Sequence, residues 1–226
     1  MTENQLQRGF LKFFPLLHSN STLAPHIELK YAIGKYYRGR EFGMPDTIPD
    51  VIEFDEDEKF HLWELKLLNA SEVWTGKFFG QLMLYNFLFS TEPWDELAGR
   101  FVTCANKKDD FVGDIGKVLM HLASYGTGSE AKEGDRTANF STWNLCVCGG
   151  KGYELAAGVN PAIWSFWIMA DKYFDLEEVP PLRIWHFFET TTGYQLTEMK
   201  HMTILEPDTL HPEAMQAYIK NEHHAQ

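Results

Sequence analysis

Positive charge is scarce in this sequence of 226 residues: 20 lysines and arginines face 32 aspartates and glutamates, which leaves a formal net charge of −12. Phosphate contacts rely on lysine and arginine, so this balance argues against a protein that coats nucleic acid broadly. It does not exclude binding at one site, because the local field decides such contacts more than the total charge does.

Cysteine is equally scarce, and long apolar runs are absent. Three cysteines, an odd number, predict reduced thiols and a cytoplasmic location rather than a disulfide framework. The polar start of the chain does not fit a signal peptide, and no run approaches the about 20 apolar residues of a membrane span. Cys146 and Cys148 alternate in a predicted strand, which is more typical of small buried residues than of a zinc site.

The rest of the composition predicts a well-filled core. Hydrophobic residues make up 44 % of the chain and aromatic residues 15 %, so we expect a single domain over 1–226 with an α/β fold, in which helices flank a central mixed sheet. The predicted elements are helices over 4–18, 26–37, 71–89 and 110–125, a hairpin over 50–68, strands over 100–104 and 143–148, a tryptophan-rich helix over 160–174, strands over 183–189 and 194–204, and a final short helix from His211.

The hairpin is the most informative segment. A charged turn over 55–59 separates two β-rich strands, and a turn of that length places Asp50 opposite Glu64. Side chains alternate along a strand, so Asp50, Glu64 and Lys66 share one face. The weak point is the register, because a slip of one residue would move all three side chains to the other face.

Two opposed carboxylates repel each other unless something positive lies between them. A divalent cation and Lys66 would supply that charge, and a lysine beside a cation can steady a water for attack. This combination is typical of metal-assisted phosphodiester hydrolysis. The alternative is a surface hairpin with ordinary charges, since the chain has a second Glu-x-Lys at Glu28 and a second Pro-Asp at Asp46. Asp46 competes with Asp50, but the hairpin pairing favours Asp50, since Asp46 would face Leu68 or lie beyond the strand.

A second group of polar residues lies on the helix that follows. Lys77, Gln81 and Tyr85 recur every four residues and form one stripe on an otherwise apolar helix. A glutamine and a tyrosine in such surroundings need a polar partner or an exit to solvent. They either edge the surface or line the same cleft as Glu64 and Lys66.

Asp50, the triplet Glu64-Leu65-Lys66 and the downstream Gln81-x-x-x-Tyr85 together resemble the PD-(D/E)XK nuclease superfamily. The resemblance is strongest to the branch with a Gln-x-x-x-Tyr helix, which includes lambda-exonuclease-like and helicase-associated nuclease domains. It implies a restriction-endonuclease-like fold, with a nuclease core over 26–104. Residues 105–226 would then complete the sheet and add a C-terminal α+β elaboration.

The resemblance also implies roles for individual residues. Asp50 and Glu64 would ligate Mg²⁺ or Mn²⁺, and the carbonyl of Leu65 would add a ligand. Lys66 would position the attacking water or stabilise the pentavalent transition state. The family often has a further acid on an N-terminal helix. Glu28 is the candidate for it, although it is equally compatible with a solvated helix residue.

Gln81, Tyr85 and Lys77 would contact the substrate or brace the site. The implied activity is that of a metal-dependent deoxyribonuclease in restriction, repair or defence, with DNA favoured over RNA as the partner. A homo-oligomer or a partner protein is compatible with the sequence. The alternative is a catalytically silent relative that acts as a binding or regulatory subunit. The negative charge favours that alternative, while the intact acidic residues and Lys66 speak against it.

Overall fold

A computed structural model describes residues 2–29, 48–75, 77–91, 94–107, 111–126, 138–149, 180–191 and 193–199. In chain order the elements are α1 (Glu3–Leu17), β1 (Thr22–Pro25), β2 (Val51–Phe54), β3 (Phe60–Leu67), α2 (Ser71–Thr75), α3 (Lys77–Thr91), α4 (Trp94–Asn106), α5 (Ile115–Gly126), β4 (Phe140–Cys148), β5 (Leu182–Thr190) and β6 (Gly193–Glu198). The predicted α/β class is confirmed. Within these ranges no helix is both long enough and apolar enough to cross a membrane.

The six strands form one mixed sheet in the order β1-β2-β3-β4-β5-β6. β1, β2 and β3 are antiparallel neighbours, β3, β4 and β5 run parallel, and β6 returns antiparallel to β5. The C-terminal ends of β3, β4 and β5 therefore meet at one edge of the sheet, where β2 also begins. We call this the carboxyl edge.

The predicted hairpin and its register are confirmed. Ile52 lies opposite Leu62 in the pairing of β2 with β3. The turn is held by Asp55, whose Oδ1 accepts hydrogen bonds from the backbone N–H groups of Asp57 and Lys59, each at 2.9 Å. An aspartate that bonds to backbone groups two and four residues on stabilises a tight turn, which in this hairpin fixes the register of both strands.

Helices cover both faces of the sheet. On one face, here the α1 face, Phe10 and Phe14 pack on Trp63 with ring centroids 5.1 Å apart in both pairs. On the opposite face, here the α3 face, α3, α4 and α5 enclose a larger apolar cluster. Phe89 of α3 stacks there on Phe140 of β4 at 4.1 Å.

The prediction of a strand over Arg100–Cys104 is wrong, because this segment lies inside α4. Its local composition favours a strand, but Leu97, Phe101 and Cys104 are buried at spacings of four and three residues. That spacing lines one face of a helix, and burying this face overrides the local β preference.

The prediction of a helix over 26–37 is wrong for residues 26–29, the part of that range that the structure describes. Pro25 ends strand β1, and His26 follows in the left-handed region with φ of 56°. Residues 26–28 are a turn and irregular backbone, and Leu29 forms a β-bridge, so none of these four residues is helical. The remainder of that helix, Asp46, the tryptophan-rich helix over 160–174 and the final helix from His211 lie outside the described residues.

The other predicted elements are present with adjusted bounds. The helix expected from residue 110 begins at Ile115, and β6 ends at Glu198, so Met199 is not part of the strand predicted to run to 204. Cys146 and Cys148 are buried in β4, as their spacing predicted.

Candidate functional site

Asp50 is held in place at the carboxyl edge from two sides. Its Oδ2 accepts a hydrogen bond from the backbone N–H of Leu65 at 2.7 Å. Its backbone carbonyl accepts one from Nε2 of Gln7 at 2.8 Å. Backbone pairing between β2 and β3 ends at Val51 and Trp63. The Asp50 side chain bonds the amide of Leu65, two residues further along β3.

Glu64 and Lys66 lie on the α3 face of β3, two residues apart, and both are buried: Glu64 is 2 % exposed and Lys66 8 %. The lysine Nζ lies 2.7 Å from Oε1 of Glu64. The second carboxylate oxygen, Oε2, is buried and has no hydrogen-bond partner among the described residues. An unpartnered buried carboxylate oxygen is expensive, so its presence calls for an explanation.

Glu53 provides a comparison within the same hairpin. It is also buried, at 6 % exposed, but it lies on the α1 face. Oγ of Ser21 and Nε1 of Trp63 donate to its two oxygens, each at 2.7 Å. Glu53 is thus a fully satisfied structural carboxylate, whereas Glu64 keeps one oxygen unused.

When Asp50 and Glu64 are both ionised and Lys66 is protonated, these three side chains carry one net negative charge. Burial, and then the charge of Asp50, raise the pKa of Glu64 from 4.5 to about 8. Burial also raises the pKa of Asp50, against the hydrogen bond from Leu65 and the charge of Lys66. Burial acts to lower the pKa of Lys66, but Glu64 and Asp50 outweigh it and the net direction is upward. The group therefore favours taking up a proton or a cation.

The stripe on α3 faces the same carboxylates. Tyr85 is buried, and its hydroxyl donates to the carbonyl of Ile48 at 3.3 Å. Burial, Glu64 and Asp50 all raise the pKa of Tyr85, while a hydrogen bond with Gln81 opposes them. Gln81 Oε1 is itself buried without a partner among the described residues. The structure thus places Tyr85 near Glu64 and Asp50, with Gln81 next to it on the same helix.

Two other candidates lie further out. Lys77 is exposed at the start of α3. Glu28 follows β1 outside any helix, so the expectation that it lies on a helix is wrong. Its carboxylate forms an ion pair with Arg100 of α4 at 3.8 Å. The roles of Glu28 and Lys77 stay predictions.

The residues present fit a hard divalent cation. Within the described ranges no group of three His, Cys, Asp or Glu side chains is placed to hold a metal ion. Asp50 and Glu64 are the two carboxylates that would hold a cation at this site, because Glu64 has an unpartnered oxygen near Asp50. The N–H and C=O of a strand residue point to the same neighbour, so the carbonyl of Leu65 faces the side of β3 where Asp50 lies. Two carboxylates, one carbonyl and water suit Mg²⁺, which keeps several of its waters in proteins.

The sequence reasoning missed the contribution of α1. Gln7 is 6 % exposed and lies between Leu6 and Phe10 on the buried face of this helix. Glu3, one turn earlier, is close enough for its charge to raise the pKa of Asp50 and Glu64. A glutamine on an apolar helix face needs a partner. The same signal that singled out Gln81 was available for Gln7.

Replacing Gln7 with methionine should lower the free energy of unfolding by about 1–3 kcal/mol, because the partly buried carbonyl of Asp50 loses its donor while the volume is kept. Urea unfolding of the two proteins would measure this difference. The matched control is Gln195→Met on exposed β6, where we expect a change within about 0.5 kcal/mol. Equal effects of the two substitutions would contradict the role of Gln7.

Comparison with known proteins adds no assignment for this site. A scan against protein-family models and a search of curated proteins each found no match.

Proposed function

We propose that this chain is a metal-dependent nuclease that hydrolyses phosphodiester bonds, with DNA as the favoured substrate and Mg²⁺ or Mn²⁺ as the cofactor. The observation that carries the proposal is the unpartnered Oε2 of Glu64, buried beside Asp50 and Lys66. The contrast with Glu53, whose oxygens both accept hydrogen bonds, supports a ligand role for Glu64 rather than a structural one.

Asp50 and Glu64 would hold the cation together with the carbonyl of Leu65. A bound divalent cation lowers the pKa of its water and neutralises charge on a phosphate. Lys66 stays protonated, because both carboxylates favour its charged form. A charged lysine is a poor base, so we assign it to orienting the attacking water and to stabilising charge on the pentavalent phosphorus.

Gln81 and Tyr85 serve this site by bracing it. Tyr85 donates to the carbonyl of Ile48, two residues before Asp50, and Gln81 hydrogen-bonds Tyr85. These contacts fix the segment that leads into the aspartate. Of the three residues in the α3 stripe, exposed Lys77 is the one that would contact the substrate directly. The six-stranded mixed sheet flanked by helices agrees with a restriction-endonuclease-like fold, which is part of this proposal.

The test is a cleavage survey with Glu64→Gln as the paired variant. The purified chain is incubated with linear DNA, circular DNA and RNA in Mg²⁺, in Mn²⁺ and in EDTA. We expect cleavage that requires the cation and is lost in Glu64→Gln, because the amide keeps the shape of the side chain but cannot ionise.

Cleavage that persists in EDTA, or that survives the substitution, would contradict the assignment. If none of these substrates is cut, the result would argue against the proposal that this chain is an enzyme. Tight binding without cutting would favour the silent relative instead. The circular substrate also distinguishes endonuclease from exonuclease action.

A further inference from the structure

A groove of about 750 Å³ lies on the α1 face of the sheet, opposite the face that carries the Glu64 and Lys66 side chains, and takes no part in the candidate site. One wall is the outer flank of α1, between Gln5 and Leu16. The other wall is the β5–β6 hairpin, with Glu189, Gly193 and Tyr194. The groove starts near the carboxyl edge, because the β5–β6 turn follows the C-terminal end of β5.

The α1 wall carries two positively charged side chains. Arg8 and Lys12 both line the groove and are exposed. They lie one helical turn apart, about 6 Å along the axis, and the structure gives neither an ion-pair partner among the described residues. Like charges at this spacing destabilise a helix slightly. Against the one carboxylate of Glu189 on the opposite wall, these two cations leave the groove lining with one excess positive charge, which in a chain of net charge −12 points to an anionic ligand.

The opposite wall supplies an aromatic surface. Tyr194 lines the groove and stacks on Phe187, with ring centroids 5.0 Å apart and the planes 14° from parallel. That packing holds the tyrosine ring in place. A positively charged groove with a fixed aromatic ring is the arrangement that binds single-stranded nucleic acid, because cations meet the phosphates and bases stack on the ring.

The groove floor contains a glycine that packing does not require. A Cβ on Gly9 would meet the rings of Tyr194 and Phe187 at 3.6 and 3.7 Å, which is ordinary contact. Alanine would therefore fit, and it would favour the helix by about 0.5–1 kcal/mol. Glycine instead keeps the space beside Tyr194 open.

The groove, on the α1 face, and the carboxylates, on the α3 face, approach each other at the carboxyl edge of the sheet. Glu3, at the start of α1, is an electrostatic neighbour of Asp50, Glu64 and Lys66. Arg8 follows five residues later, about 7.5 Å along the helix axis. A strand lying along α1 would thus run from the groove to the carboxyl edge, and would pass Glu3 and the end of the sheet before it reached the carboxylate pair.

We propose that this groove binds a single-stranded segment of nucleic acid next to the scissile phosphate, with phosphates on Arg8 and Lys12 and a base on Tyr194. This inference rests on the proposed nuclease function and adds the form of substrate that it takes. A duplex stacks its own bases inside, so it cannot offer one to the tyrosine without opening.

The test measures binding and cleavage separately. Fluorescence anisotropy in EDTA gives the affinity for a labelled oligothymidylate of about 16 nucleotides, for its RNA counterpart and for a duplex. The double variant Arg8→Ala/Lys12→Ala should bind the single strand at least tenfold more weakly. Its slope of log affinity against log salt should fall by about 1.4, the value for two lost phosphate contacts on a single strand. Wild type should prefer either single strand over the duplex.

Matched variants control for charge and for packing. Lys107→Ala/Lys117→Ala removes two exposed lysines at the end of α4 and in α5 and should bind within twofold of wild type. Tyr194→Leu keeps apolar cover over Phe187 but loses the aromatic face, and should weaken binding at least fivefold. Tyr194→Phe keeps that face and should bind like wild type.

Cleavage of the same oligonucleotide in Mn²⁺ separates the two claims. If wild type cuts but Arg8→Ala/Lys12→Ala binds as tightly as the lysine control, the groove inference is overturned and the nuclease stands. If wild type cuts nothing but the arginine–lysine variant loses binding, the groove is supported and the nuclease is not. A wild type that neither binds nor cuts overturns both.

Discussion

Replacing Asp50 with asparagine should lower the rate of Mg²⁺-dependent cleavage on the order of a thousandfold or more, because the site loses one of its two anionic ligands. The fold should survive, since the amide oxygen can still accept the hydrogen bond that the N–H of Leu65 donates at 2.7 Å. The measurement is the single-turnover cleavage rate, with a thermal melt to check the fold.

Asp57→Asn is the matched control for this substitution. It removes the same charge from the same hairpin, but at an exposed turn position at the opposite end of the strands from Asp50. We expect it to cleave within twofold of wild type. Equal activity of Asp50→Asn and Asp57→Asn would show that Asp50 is not a metal ligand. Asp46 would then be the remaining candidate for that ligand.

Cation affinity should rise with pH. The pKa of Glu64 is raised to about 8, from 4.5, by burial and by Asp50. Below about pH 8 the carboxyl therefore holds a proton that the cation must displace. Affinity should increase about tenfold per pH unit through the range below that value and level off above it. Lys66 stays charged throughout, because the two carboxylates raise its pKa.

Calorimetric titration with Mn²⁺ in buffers of different ionisation enthalpy measures both the affinity and the number of protons released. We expect about one proton per ion at pH 7, falling toward zero above pH 9. Glu64→Gln should bind weakly and show little pH dependence. A wild-type affinity that does not change across this range would show that Glu64 is not the group displaced.

The hairpin could be predicted from the sequence because its determinants are local. A turn of fixed length sets the register, and alternation along the strand then places Glu64 and Lys66 on one face. The stripe of Gln81 and Tyr85 is equally local, since a helix repeats every 3.6 residues. These two patterns pointed to Glu64, Lys66 and Tyr85, which the structure places within electrostatic reach of Asp50.

The parts that escaped prediction depend on contacts between distant segments. Gln7 bonds the carbonyl of Asp50 across 43 residues, and no local pattern records that pairing. The segment around Arg100 has strand-like composition, but it forms a helix because burying Phe101 on the α3 face stabilises that choice. The left-handed conformation of His26 likewise follows from where β1 pairs.

The most direct measurement is the position of the cation itself. Crystals grown in Mn²⁺ and measured at a wavelength with strong anomalous scattering from manganese would place the ion in the structure. We expect an ion bound by Asp50 and by the Oε2 oxygen of Glu64, and no ion there in crystals of Asp50→Asn. Wild-type crystals with no manganese between these carboxylates, while Lys66 alone neutralises Glu64, would contradict this expectation.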